Sequence, residues 1–149
     1  MNLKKMINNI RIRFEITDIP KEEQKKYPTL YLEGILKIYV NEITFFDQSG
    51  ILLIEFAIFI NRWLNIIKKG EYVDLIYNTM DNDEPILSFN YVKDNYYRIY
   101  SVWQETEVSE LLIKENIVVE FEKYLVYLNN ELKSKEGIDL NFILCNLDK

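Results

Sequence analysis

Residues Gly50 to Gly70 read GILLIEFAIFINRWLNIIKKG, the longest apolar run in the chain. The run is too long for a strand, and its polar members Glu55, Arg62, Asn65 and Lys69 recur at near-helical spacing, leaving a broad apolar arc to be buried. That arc is expected to be Leu52, Leu53, Phe56, Ala57, Ile60, Trp63, Leu64 and Ile67. Gly50 stands just before the helix, Lys68 and Lys69 fall in its last turn against the negative end of the dipole, and Gly70 can take the left-handed conformation that ends it. A membrane span needs about 20 residues with few charges. Glu55, Asn61, Arg62 and Asn65 interrupt this run, so it predicts a buried helix around which a globular domain is built.

Upstream of it the pattern changes to alternation. Leu30 to Val40 places Leu30, Leu32, Leu36, Ile38 and Val40 on one side and Tyr31, Glu33, Lys37 and Tyr39 on the other. Gly34 falls in the inward set, where a missing side chain leaves room for Trp63 or Trp103. Asn41-Glu42 reads as a tight turn into Ile43 to Phe46, making a hairpin. Before these, Ile10, Ile12, Phe14 and Ile16 alternate with Arg11, Arg13 and Glu15 as a half-buried antiparallel strand. Asp18 to Pro28 is an exposed connection with room for a short helical turn after Pro20.

Downstream, Tyr72 to Tyr77, Ile86 to Val92 and Tyr96 to Gln104 read as strands, the last two joined by a turn at Lys93-Asp94-Asn95. In the last of them Ser101 and Trp103 share a face with Tyr97 and Ile99, so Trp103 is expected in the core beneath a helix. Thr106 to Ile113 fits either an edge strand or the opening of a final helix. That helix, Glu115 to Lys135, carries Ile117, Phe121, Leu125, Leu128 and Leu132 on one face, Gly137 ends it, and Ile138 to Leu147 is expected to dock. The strand links are too short for parallel crossovers. The fold read from the chain is a single α+β domain, residues 1–149, in the order β-β-β-α-β-β-β-α: one mostly antiparallel sheet of about five to seven strands with two main helices on one face.

Composition narrows the function. With 48% hydrophobic and 14% aromatic residues, 149 residues suffice for one well-filled core. A net charge of −6 disfavours nucleic acid and suits a neutral or basic partner. The chain has no histidine and one cysteine, which excludes Ser-His and Cys-His nucleophile pairs, His-based zinc sites, thiolate clusters and an internal disulfide. Its four glycines, Gly34, Gly50, Gly70 and Gly137, lie too far apart for a phosphate loop. Asp81-Asn82-Asp83-Glu84 resembles half of a calcium loop, but Ile86 and Val92 stand where glycine and glutamate are needed, which leaves a polar turn. Cys145 has no general base beside it. No catalytic residue, metal or cofactor is therefore assigned. The lysines of Met1 to Ile10 are followed by no apolar signal segment, so a cytoplasmic protein is expected, without a membrane partner.

The surface is more informative. Outward strand positions collect tyrosine and arginine, the residues enriched at binding hot spots, and Tyr31, Tyr39, Tyr96, Arg98 and Tyr100 are the candidate partner-binding set on one exposed sheet face. The plainer reading is that tyrosine is a good strand residue with a wet end. The alternative is a small-molecule binder or enzyme with a pocket between the central helix and the sheet, near Trp63, Trp103 and Ser101, with Glu55 or Tyr97 as polar groups. An oligomer paired through its tyrosine-rich face is a third.

Taken together, GILKIYVNEITFFDQSGILLIEFAIFINRWL (Gly34 to Leu64), YYRIYSVWQ (Tyr96 to Gln104) and the terminal amphipathic helix resemble the small bacterial immunity proteins of polymorphic and contact-dependent toxin systems. The likeness is one of architecture over about residues 30 to 135, so no site residue passes to this chain from it. It implies a cytoplasmic, acidic, non-catalytic protein that neutralises a toxin, such as a basic nuclease domain, by covering its active or substrate site.

Overall fold

The computed structural model describes residues 8–78 and 84–147. Its elements are β1 (Ile10–Asp18), a 3-10 turn (Glu22–Gln24), α1 (Pro28–Tyr31), β2 (Glu33–Val40), β3 (Ile43–Leu52), α2 (Leu53–Ile67), β4 (Leu75–Tyr77), β5 (Leu87–Lys93), β6 (Tyr96–Tyr100), β7 (Leu112–Ile113), α3 (Lys114–Glu136) and α4 (Leu140–Leu147). The long apolar run thus serves two elements. Gly50, Ile51 and Leu52 finish β3, and the helix begins at Leu53, so Lys68 and Lys69 fall beyond its end. Of the expected arc only Leu52 stays half-buried; Leu53, Phe56, Ala57, Ile60, Trp63, Leu64 and Ile67 are in the core, joined by Ile54. Gly70, at φ 91°, takes the left-handed conformation.

β1, β2 and β3 form an antiparallel sheet in that order. Its inner rows match Ile12 to Ile38 and Phe14 to Leu36. The β2–β3 turn holds Asn41 and Glu42 at φ 52° and 67°, the two positive angles that suit the right-handed twist of a hairpin. At Gly34 the expectation of a tryptophan neighbour is corrected. A Cβ there would lie 2.3 Å from the Glu15 carbonyl oxygen and 2.6 Å from Leu53 Cδ1, so the missing side chain admits the neighbouring strand and the first residue of α2. Leu30 and Tyr31 are corrected as well. With Pro28 at its first position the chain coils into α1, which leaves Leu30 60% exposed, and β2 starts only at Glu33.

The single sheet of the sequence reading is replaced by two. Both edges of the first sheet are occupied. At β1 the Ile12 N–H donates to the Glu120 carboxylate of α3 (3.1 Å) and the Arg13 guanidinium donates to the Ile12 carbonyl (2.8 Å). At β3 the Phe45 carbonyl accepts the N–H of Glu105 (2.8 Å), from the loop after β6. Edge groups satisfied this way offer no template for β4, which pairs with β5 in a second antiparallel sheet, β4-β5-β6-β7. Of the ambiguous segment Thr106 to Ile113, only Leu112 and Ile113 form an edge strand, β7, paired with β6; residues 106–111 are loop, and α3 starts after the segment at Lys114.

Helices α2 and α3 join the two sheets instead of covering one face of a single sheet, and edge-to-face rings mark the junction. Tyr124 of α3 meets Phe14 of β1 and Phe56 of α2, both at 5.4 Å, and Phe56 meets Tyr77 of β4 at 5.2 Å. Phe121 of α3 meets Trp63 of α2 at 5.5 Å and Phe89 of β5 at 5.2 Å, while Trp63 meets Tyr97 of β6 at 5.7 Å. The buried Tyr124 hydroxyl donates to the Leu53 carbonyl (2.9 Å), tying α3 to the start of α2. Gly137 at φ 65° ends α3, and the tail docks as α4 through Ile138, Leu140 and Leu144. Among the described residues no helix is long and apolar enough to cross a membrane.

Candidate functional site

Strand β6 reads Tyr96-Tyr97-Arg98-Ile99-Tyr100 and is buried at every second residue. Tyr97 and Ile99 enter the core because period-two alternation gives them the face that meets α2 and α3. Tyr96, Arg98 and Tyr100 are consequently turned outward, and all three are exposed. Strand register extends this face in rows: Ile76 of β4, Ser88 of β5 and Tyr100; Asn90 of β5 and Arg98; Lys93, Tyr96 and Ile113 of β7. Ile76 is exposed while Ser88, between Ile76 and Tyr100, is buried, so the row closes over its small central residue. Among the described residues the Tyr96 and Tyr100 hydroxyls make no hydrogen bond and Arg98 makes no ion pair. An arginine between two tyrosines on an exposed sheet face presents flat apolar area with directional donors.

The other members of the candidate set lie elsewhere. Tyr39 is half-buried on β2, on the outer face of the first sheet, and Tyr31 is exposed on α1. The five residues therefore do not share one sheet: three stand together on β6 and two stand apart. The first sheet's outer face is also more internally engaged. Arg11 pairs with Glu42 at 2.5 Å, and Arg13, besides its bond to Ile12, lies 4.0 Å from Glu120. A concavity of about 210 Å3 remains there, lined by Arg13, Phe14, Glu15, Ile35, Lys37 and Tyr39.

Of the residues proposed for a small-molecule pocket, Trp63 and Tyr97 come together edge to face at 5.7 Å, and their polar groups are engaged in internal bonds. Trp63 is buried, with its indole N–H donated to the Val73 carbonyl (2.8 Å), and the Tyr97 hydroxyl donates to the same carbonyl (3.0 Å). Glu55 accepts from the Tyr77 hydroxyl (3.1 Å). Burial pushes the Tyr97 hydroxyl up to about 12 and, together with the Glu55 carboxylate, raises Tyr77 further still; burial likewise lifts Tyr124. These tyrosines are neutral structural donors at ordinary pH. No group of three or more acidic or sulfur ligands suited to a metal occurs among the described residues. Asp81, Asn82 and Asp83 of the half calcium loop lie outside them, and Glu84 is exposed. Cys145 is an exposed free thiol on α4.

Trp103 is the main correction. The strand stops at Tyr100, the chain turns, and Trp103 emerges 37% exposed instead of filling the core, whereas Ser101 is buried as alternation predicts. For Trp103 the signal was the polar run Gln104-Glu105-Thr106-Glu107, which ends the alternation directly after the tryptophan and puts it at the strand's frayed end. Ile76 is the member of the β6 surface that sequence reasoning missed.

The fold of the described residues is α+β, two antiparallel sheets with four helices, and β6 leaves every second residue of its own length in the second sheet exposed. Residues 10–134 match the family model for a domain of unknown function, DUF7878, and the chain belongs to that family. No curated protein and no solved structure matches it.

Proposed function

We propose that this is a non-catalytic binding protein, an immunity protein that neutralises a bacterial toxin by direct contact through the outer face of its second sheet. The observation that supports this reading best is the Tyr96-Arg98-Tyr100 row, exposed, with no side-chain hydrogen bond or ion pair among the described residues, and carried on a strand whose alternate residues anchor it in the core. The net charge of −6 favours a basic toxin domain, whose encounter it would accelerate. The site of action is the cytoplasm, where the single Cys145 stays reduced.

Cell protection is the test. A toxin domain encoded beside this protein is expressed in a sensitive host together with the wild type or with the Tyr96→Ala/Arg98→Ala/Tyr100→Ala variant. The wild type is expected to restore growth and the variant, melting at the same temperature, to fail. Growth arrest with the wild type, or equal protection by the folded variant, overturns the proposal.

A further inference from the structure

β6 is followed by the loop of residues 101–111, where Val102 and Trp103 are both exposed. An exposed tryptophan on a loop is ordinarily costly to order, yet this one is bracketed. The buried Ser101 hydroxyl donates to the Ile86 carbonyl (2.5 Å) and accepts the N–H of Trp103 (2.9 Å). The Ser101 N–H donates to Gln104 Oε1 (3.3 Å), and the Glu105 N–H ties the loop to Phe45 of the first sheet (2.8 Å). Val108 is buried and anchors the far side. The Trp103 backbone is thereby held before any partner arrives, which lowers the ordering cost of binding.

The charge around it has one sign. Glu105, Glu107 and Glu110 are all exposed, residues 101–113 contain no lysine or arginine, and none of the three carboxylates forms an ion pair among the described residues. An exposed indole on a held backbone, in the same loop as three exposed carboxylates, complements a lysine- or arginine-rich protein segment: a cation can stack on the ring and the acidic loop favours its charge. We infer that Trp103 and the Glu105–Glu110 loop, which follows β6 in the chain, form an anchoring site for a basic segment of the partner protein. This rests on the binding-face reading above and specifies the chemistry of its occupant.

The two tryptophans allow a direct test on the intact protein. In 15N-labelled protein the indole N–H of Trp63 is buried and bonded to Val73, while that of Trp103 reports the loop. A short unstructured peptide of lysine, arginine and glycine should shift the Trp103 indole signal saturably and leave that of Trp63 in place, and a glutamate-glycine peptide should shift neither. The Glu105→Gln/Glu107→Gln/Glu110→Gln variant, which keeps every backbone bond of the bracket, should weaken the basic peptide by about tenfold. Trp103→Ala should weaken it too, followed on the loop amides. An unmoved Trp103 signal, equal shifts of both indoles, or undiminished affinity in the glutamine variant would overturn the anchoring site. If the loop fails while the β6 variant still loses protection in cells, the binding-face reading stands without it; if the loop binds and protection never depends on β6, the reverse holds.

Discussion

Trp63 and Trp103 carry the same side chain into opposite surroundings, 2% and 37% exposed. Trp63→Ala should cost about 3–5 kcal/mol, as a large core truncation that also removes the bond to Val73. Trp103→Ala should cost less than about 1 kcal/mol, because its neighbours do not lose a core partner. Urea unfolding of the two variants separates them, and equal losses would mean that Trp103 is buried after all. Gly34 is decided by the same kind of local geometry. Gly34→Ala places a methyl against the Glu15 carbonyl and Leu53, and since one obstacle is backbone the strands must part, at an expected cost of about 2–3 kcal/mol in the same assay. That Gly34 faces inward was legible from alternation; what it faces was not, because the neighbour is another strand's backbone, which carries no side-chain signature in sequence.

At the scale of elements, hydrophobic period located every long segment and failed mainly at ends. α3 runs Lys114–Glu136 where its apolar spacing predicts Glu115 to Lys135, and the 3-10 turn after Pro20 is where the connection allows one. The central helix begins late because Ile51 and Leu52 are apolar in either structure and the sheet claims them. β6 ends early for the converse reason: Ser101 keeps the alternation while its hydroxyl already turns the chain. The partition into two sheets was hidden for a different cause, since it depends on what saturates the strand edges. Glu120 of α3 is buried and caps the Ile12 N–H at the β1 edge. Glu120→Ala should therefore cost about 2 kcal/mol, the scale of a lost bond to a charged group, while Glu120→Gln, which keeps an acceptor, should cost less than half of that. Similar denaturation midpoints for the two variants would show that the edge is capped by something else.

Across the whole molecule, the buried tyrosines link core and pH. Tyr97 is pushed up to about 12, and Tyr77 and Tyr124 shift the same way, each by burial first. In the unfolded chain tyrosines ionise near 10. Their stabilising contribution is fully present below about pH 10 and is lost as pH rises from there towards the folded values. The denaturant midpoint should fall over that alkaline interval, with tyrosinate absorbance rising late as the protein unfolds; a midpoint that holds steady would place these hydroxyls in water. The candidate face divides on the same principle of scale. Its β6 members were legible because alternation alone orients them, whereas Tyr31 and Tyr39 were joined to them only through the assumption of one sheet. The measurement that tests the functional account most directly is the dissociation constant of the toxin partner for the wild type and for Tyr100→Ala, with a thermal melt of each. About 30-fold weaker binding, or roughly 2 kcal/mol, with an unchanged melting temperature is the predicted result; unchanged affinity, or a loss that merely follows a loss of stability, would contradict it.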